Sequence, residues 1–149
     1  MNITDALVAE HAVFTVVFDY VERVSPKLTT LAEARLLAGL IEALLRGHAD
    51  AEENLAFVAL DHVLDHKGRL DQMHLEHHEI DASLKRVHAA KDVAEARRFL
   101  AASLRASRKH FRYEERNVFP LMEQMLQHET LTKLGNAWKR DRTALAMQA

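Results

Sequence analysis

His48-Ala49-Asp50-Ala51-Glu52-Glu53 and His110-Phe111-Arg112-Tyr113-Glu114-Glu115 carry one pattern, His-x-x-x-Glu-Glu, at two places in the chain. The likeness extends outward from both copies. Phe57 stands against Phe119, Leu64 against Leu126 and His66 against His128. Upstream, Glu10-His11 precedes the first copy and Glu76-His77 the second, set among Leu7, Phe14, Phe18, Val21 and Met73, Ile80, Leu84, Val87 respectively. Self-similarity of this kind marks an internal structural repeat. The chain reads as two helix pairs, about residues 4–66 and 70–128, related by an approximate two-fold axis within one domain spanning 1–149.

Periodicity supports helices almost end to end, and no stretch alternates strictly as a strand would. The first helix is expected to start near Thr4 or Asp5, either of which can cap it, and to end at Ser25-Pro26. A second runs from about Leu31 through Leu37, Ile41, Leu44, His48, Glu52 and Leu55, with its stop at His66-Lys67-Gly68. The third carries Leu70, Met73, His77, Ile80, Leu84 and Val87 and stops near Lys91. Asp92 caps the fourth, whose stripe is Leu100, Ser103, Ser107, His110, Glu114 and Leu121, and Pro120 should kink it. A shorter helix from about Thr132 would cover the bundle with Leu134, Trp138 and Leu145. The expected fold is all-α, an up-down-up-down four-helix bundle with a short extra C-terminal helix. Only 4 Gly and 2 Pro among 149 residues leave few turns, which suits long segments.

Composition removes many functions. The absence of cysteine excludes disulfide scaffolds, thiolate metal sites and cysteine nucleophiles. A net charge of −2 gives no basic field for nucleic acid or anionic membrane. No apolar run approaches the roughly 18 residues of a membrane span, and the amino terminus lacks a signal pattern, so a cytoplasmic protein is expected. Glycine-rich phosphate loops, Gly-x-Ser-x-Gly elbows, His-Glu-x-x-His and Glu-x-x-His motifs are all missing.

The unusual feature is 10 His, one of which sits inside the apolar stripe of each long helix. Buried imidazoles need partners. Residues four apart share a helix face, so His48 with Glu52 and His110 with Glu114 can each address one site. Glu53 and Glu115 are five from the same histidines and fall to solvent or to hydrogen bonds behind the site. Tyr113, next to Glu114, is expected either to hydrogen-bond there or to serve as an interface aromatic. His62, His66, His88 and His128 lie at stripe edges or element ends, in solvated or capping positions. Imidazole with carboxylate suits iron, zinc or manganese, and a carboxylate has two oxygens with which to bridge two ions. Four His and two Glu thus make a symmetric two-metal centre.

These residues, with Phe119-Pro120 following the last pair, resemble a hemerythrin-like (HHE cation-binding) domain over nearly the whole chain. The resemblance implies a four-helix bundle around two iron ions with an oxo or hydroxo bridge. It implies His11, His48, Glu52, His77, His110 and Glu114 as ligands. One departure concerns a fifth histidine, which oxygen carriers place four residues before the third-helix ligand; Met73 stands there, with His74 one residue on and His78 as a further alternative. The function expected is binding of O2, or of nitric oxide or peroxide, by a monomer or homodimer. Alternatives are an iron, oxygen or redox sensor, a peroxide- or nitric-oxide-handling enzyme, and a zinc or manganese structural bundle.

Overall fold

The computed structural model describes every residue except 66, 67, 69 and 149, and the side chains at 145, 146 and 148 likewise fall outside it. The expected roles of His66 and Leu145 lie there. Helix α1 is Ile3–Val24, α2 Leu31–Ala51, α3 Val58–Val63, α4 Asp71–Ala89, α5 Val93–Tyr113, α6 Phe119–Met125 and α7 His128–Gln148. No strand occurs among the described residues, and none of their helices is long and apolar enough to cross a membrane.

Local chemistry sets most of the boundaries. The cap of α1 is Asn2 rather than Thr4 or Asp5. Its side chain accepts from the Asp5 amide at 2.8 Å, and the Asp5 carboxylate accepts from the Asn2 amide at 3.2 Å. Thr4 is buried, its hydroxyl 2.6 Å from Glu123 Oε1 of α6. Thr30 and Glu33 form the same reciprocal box on α2, and Asp92 caps α5 through the Glu95 amide at 2.8 Å. Ser25–Lys27, with Pro26 inside it, is a single 3-10 turn that ends α1. Gly68, at φ 87°, takes the left-handed turn between the two helix pairs.

The continuation of α2 into α3, and of α5 into α6, passes through π-helical turns, Glu52–Phe57 and Glu114–Val118. Pro120 lies just beyond the second one, in the first turn of α6. It is not the cause of the irregularity, because the first half makes the same turn with Val58 ahead of it and no proline. A π turn inserts one residue into the helical ladder and is common at functional sites. Both of these begin at the glutamate four residues after the helix's buried histidine.

Neighbouring helices run antiparallel. Glu42 meets His88 and Glu53 meets His77 between α2 and α4, while Asp19 meets Arg108 and Thr4 meets Glu123 between α1 and the α5–α6 rod. One apolar cluster fills the end built on Phe14, Phe18, Ile41, Leu84, Leu100 and Phe111. The other fills the opposite end around Ile3, Leu7, Phe57, Leu60, Met73 and Met122. The last helix is not short. It starts at His128 and lies against α1 and the chain's N-terminus, placing Leu131, Leu134 and Trp138 on the second cluster.

Candidate metal centre

Between the two apolar clusters lies a layer of six polar side chains. His11 comes from α1, His48 from α2, His77 from α4 and His110 from α5, while Glu52 and Glu114 open the two π turns. Their exposures run from 0% for both glutamates to 12% for His77. Each carboxylate reaches across the repeat. Glu52 Oε1 lies 3.1 Å from His48 Nε2, and its Oε2 lies 3.2 Å from His77 Nε2. Glu114 Oε1 lies 3.2 Å from His110 Nε2, and its Oε2 lies 3.4 Å from His11 Nε2. The Nε2 atoms of His11 and His48 are 2.9 Å apart, and those of His77 and His110 are 2.8 Å apart.

Two groups result, His11–His48–Glu52–Glu114 and Glu52–His77–His110–Glu114, in each of which the four donor atoms lie within 4.8 Å of one another. All four carboxylate oxygens are buried, and none accepts an aligned hydrogen bond. Buried carboxylates in that condition are costly, and a shared cation answers the cost directly. The donor set of imidazole nitrogen and carboxylate oxygen fits a divalent transition metal.

A second carboxylate stands behind every imidazole. His48 Nδ1 donates to Glu10 at 2.9 Å and His110 Nδ1 to Glu76 at 2.9 Å. His11 Nδ1 donates to Glu115 at 2.8 Å and His77 Nδ1 to Glu53 at 2.8 Å. This fixes the tautomer, turning each Nε2 lone pair toward the centre, as metal-binding histidines require. In the sequence, Glu10 and Glu76 stand out only as members of the repeated Glu-His pair. That pairing was the available signal, since each glutamate supports the histidine of the neighbouring helix rather than its own. Rings close the layer: Phe111 stacks on His11 at 3.9 Å between centroids, and Phe57 stacks on His77 at 6.2 Å.

Without a metal the cluster is held by its own charges. Burial disfavours the His48 imidazolium, but the Glu52 charge and the Glu10 hydrogen bond outweigh it and raise the ring to about 10. His110 is raised against the same penalty to about 9 by Glu114 and Glu52, and His77 is raised by Glu52. Glu52 is pulled well below the ordinary carboxylate range by His48 and His77 despite its burial. Burial likewise opposes ionisation of Glu10, which His48 and Arg142 nonetheless lower to about 2.

Other residues singled out in the sequence stand outside the layer. His74 is 45% exposed, its Nδ1 3.6 Å from Glu53 Oε1, and it belongs to neither donor group. His78 is exposed, as are His62 and His128. Tyr113 does not face inward. Its side chain is exposed, and its backbone carbonyl accepts from Asn117 Nδ2 at 3.0 Å. A cavity of about 260 Å³ opens between α2 and α4 onto His48, His77 and His110, with Leu45, Ile80, Leu84 and Phe111 among its apolar walls.

Comparison with curated proteins gave no match, and comparison with solved structures gave none either. The family model for the hemerythrin HHE cation-binding domain matches residues 2–122, which includes every side chain of the layer. The chain therefore belongs to the hemerythrin HHE cation-binding domain family.

Proposed function

We propose that the chain is a non-haem di-iron protein that binds O2, or a related small ligand such as nitric oxide or peroxide, at the His/Glu layer. The observation that carries this reading is the sharing of Glu52 and Glu114 between the two donor groups. Each carboxylate turns one oxygen toward each group, an arrangement that serves two ions and would be redundant for one. His11 and His48 would hold one ion, His77 and His110 the other, with Glu52 and Glu114 spanning both. When bound, a ferrous pair supplies two electrons and an open coordination position for a small ligand.

The protein's own contribution is orientation and exclusion. The carboxylates on Nδ1 keep the four rings aimed inward and make them better donors. Four neutral imidazoles against two carboxylates put less negative charge on the metals than a carboxylate-rich set would, which favours binding over harsh oxidation. The apolar clusters on both sides keep bulk water out of the layer. The cavity between α2 and α4 gives a small uncharged ligand its approach, past Ile80 and Leu84 to the imidazole edges. Nucleic acid and membrane have no place in this reading, since a net charge of −2 provides no attraction for either.

The test is a visible spectrum of the protein loaded anaerobically with ferrous iron, followed as oxygen is admitted and withdrawn. A charge-transfer band that appears and then disappears supports reversible oxygen binding. Permanent conversion to a ferric species moves the assignment to a sensor or a peroxide- or nitric-oxide-handling enzyme. Failure to retain iron sinks the di-iron assignment and leaves zinc or manganese.

A further inference from the structure

The two halves of the centre differ in what anchors the carboxylates behind the rings. The repeat pairs Glu10 with Glu76, and Gly47 with Lys109. Glu76 Oε1 accepts from the neutral amide of Gln72 at 3.1 Å and lies 4.0 Å from the Lys109 ammonium, which is 76% exposed. Glu10 meets Arg142 of α7 instead. Arg142 Nε donates to Glu10 Oε1 at 2.7 Å, and Nη2 donates to Oε2 at 3.2 Å and to the Gly47 carbonyl at 2.9 Å. The guanidinium lies along Gly47, where an added Cβ would stand 3.5 Å from Nη1. Thus the first half has no side chain where the second has Lys109, and it takes its cation from the last helix. Arg142 also lies beyond the residues that the family model matches.

We infer that Arg142 is a positioning residue of the centre and makes the two metal positions unequal, with the His11/His48 ion leaving slowly and the His77/His110 ion exchanging readily. This rests on the two-metal reading above. Glu115 and Glu53, 41% and 38% exposed, back His11 and His77 alike, so the first position differs from the second in how readily an ion is released by a swing of His48. Its Nδ1 is tied to Glu10, and both oxygens of Glu10 are gripped by the Nε–Nη2 edge of a planar guanidinium that also holds the α2 backbone. A two-point, charge-assisted contact of this kind fixes the plane of the carboxylate as a single ammonium cannot. In the second half, a neutral amide and a solvated lysine leave Glu76 free to follow His110, because exposed charges at 4 Å contribute little. His77 is also the most exposed of the four rings.

The experiment uses the full chain loaded anaerobically with ferrous iron alone, then mixed with excess ferrous chelator while release is followed by absorbance. Wild type releases two irons in two phases of equal amplitude. Arg142→Ala speeds the slow phase on the order of tenfold and leaves the fast phase in place. Arg142→Lys gives an intermediate rate, since an ammonium cannot grip both Glu10 oxygens and the Gly47 carbonyl. Arg140→Ala, removing an exposed cation of the same helix, changes neither phase. Arg142→Ala combined with Gly47→Lys puts the cation where Lys109 stands in the other half, and the two phases merge. Equal acceleration of both phases by Arg142→Ala, as a merely loosened bundle would give, overturns the inference. So does an unchanged slow phase, or a single phase carrying two irons in the wild type. Retention of fewer than two irons by the wild type overturns the two-metal reading, and this inference with it.

Discussion

The His/Glu layer and the apolar clusters on either side of it obey opposite rules. In the clusters, side chains such as Phe18, Leu60 and Leu100 leave water completely. Each such burial contributes about 1.5–3 kcal/mol. In the layer between them, two carboxylates are just as dry and three of the four imidazoles nearly so, with His77 12% exposed, and the carboxylate oxygens have no aligned donors. The clusters explain why the chain folds. The layer works against folding unless charge fills it, with protons on His48 and His110 in the metal-free protein and cations in the loaded one. A binding site is thus held in shape by regions that need no ligand, and the ligand's free energy goes to the region that does.

The sharpest break in that comparison comes from Glu52→Ala. Because Glu52 faces both donor groups, the substitution is expected to abolish retention of both ions, whereas His11→Ala should remove one and leave the other. Metal analysis after gel filtration distinguishes the two, and loss of a single ion from Glu52→Ala would mean that the carboxylate serves only one position.

The pH dependence follows from the same layer. His48 and His110 are raised to about 10 and about 9, so their contribution is complete below the unfolded value of about 6.5 and is lost as pH climbs through the raised values. Glu10 is lowered to about 2 and Glu52 falls in the same direction, so their contribution is present above about 4.5 and is lost as pH falls. The metal-free protein should therefore melt highest between about pH 4.5 and 6.5, and lose several kcal/mol by pH 10. The loaded protein, whose rings are already neutral, should melt at a constant temperature from pH 7 to 10. Melting curves of both forms test this. A metal-free melting point that stays flat above pH 6.5 would show that imidazolium is not what fills the layer.

Much of the bundle was legible because helices announce themselves through side-chain spacing. His48 with Glu52, and His110 with Glu114, are local pairs whose geometry a single helix dictates. The matching Glu10-His11 and Glu76-His77 came from the repeat. The structure adds what spacing cannot carry. The π turns at Glu52 and Glu114 insert a residue, so Phe57 with Leu60 and Phe119 with Met122 are buried beyond them, while Leu55 and Leu121, which regular helical spacing puts on the stripe, are only partly covered. The cross-helix bonds of Glu10, Glu53, Glu76 and Glu115 depend on which helices are neighbours and at what height, which a one-dimensional pattern does not record. Arg142 depends on where α7 lies, and apolar spacing marks that helix only from about Thr132, as a short cover, whereas it starts at His128. The start of α1 differs from the expected one because Thr4 has the chemistry of a cap but uses its hydroxyl on Glu123, leaving Asn2 to do the capping.

The apolar side of the comparison is tested by Phe18→Ala, at a fully buried position in the first cluster. The loss of packing and the remaining cavity should cost about 3–5 kcal/mol. That cost should be the same in metal-free and loaded protein, with two irons still retained. Denaturant titration of both forms measures it, and a larger cost in the loaded form would mean that the cluster and the layer are not separable.

A smaller effect comes from Gly135, where α7 crosses the chain's N-terminus. A Cβ there would stand 2.5 Å from the Met1 carbonyl oxygen and 2.9 Å from the Asn2 carbonyl carbon. Both neighbours are backbone, and Asn2 is pinned by its box with Asp5, so the contact cannot be relieved by a side-chain rotation. In Gly135→Ala the last helix must move away as a body, loosening Leu131, Leu134 and Trp138 from the second cluster. Alanine is the better helix former, which by itself would stabilise α7 by about 1 kcal/mol. The clash should outweigh that gain and leave a net loss of about 1–3 kcal/mol. Both irons should still be bound, because no ligand lies on α7. A melting point at or above that of the wild type would show that α7 does not lie against the N-terminus as closely as Gly135 requires.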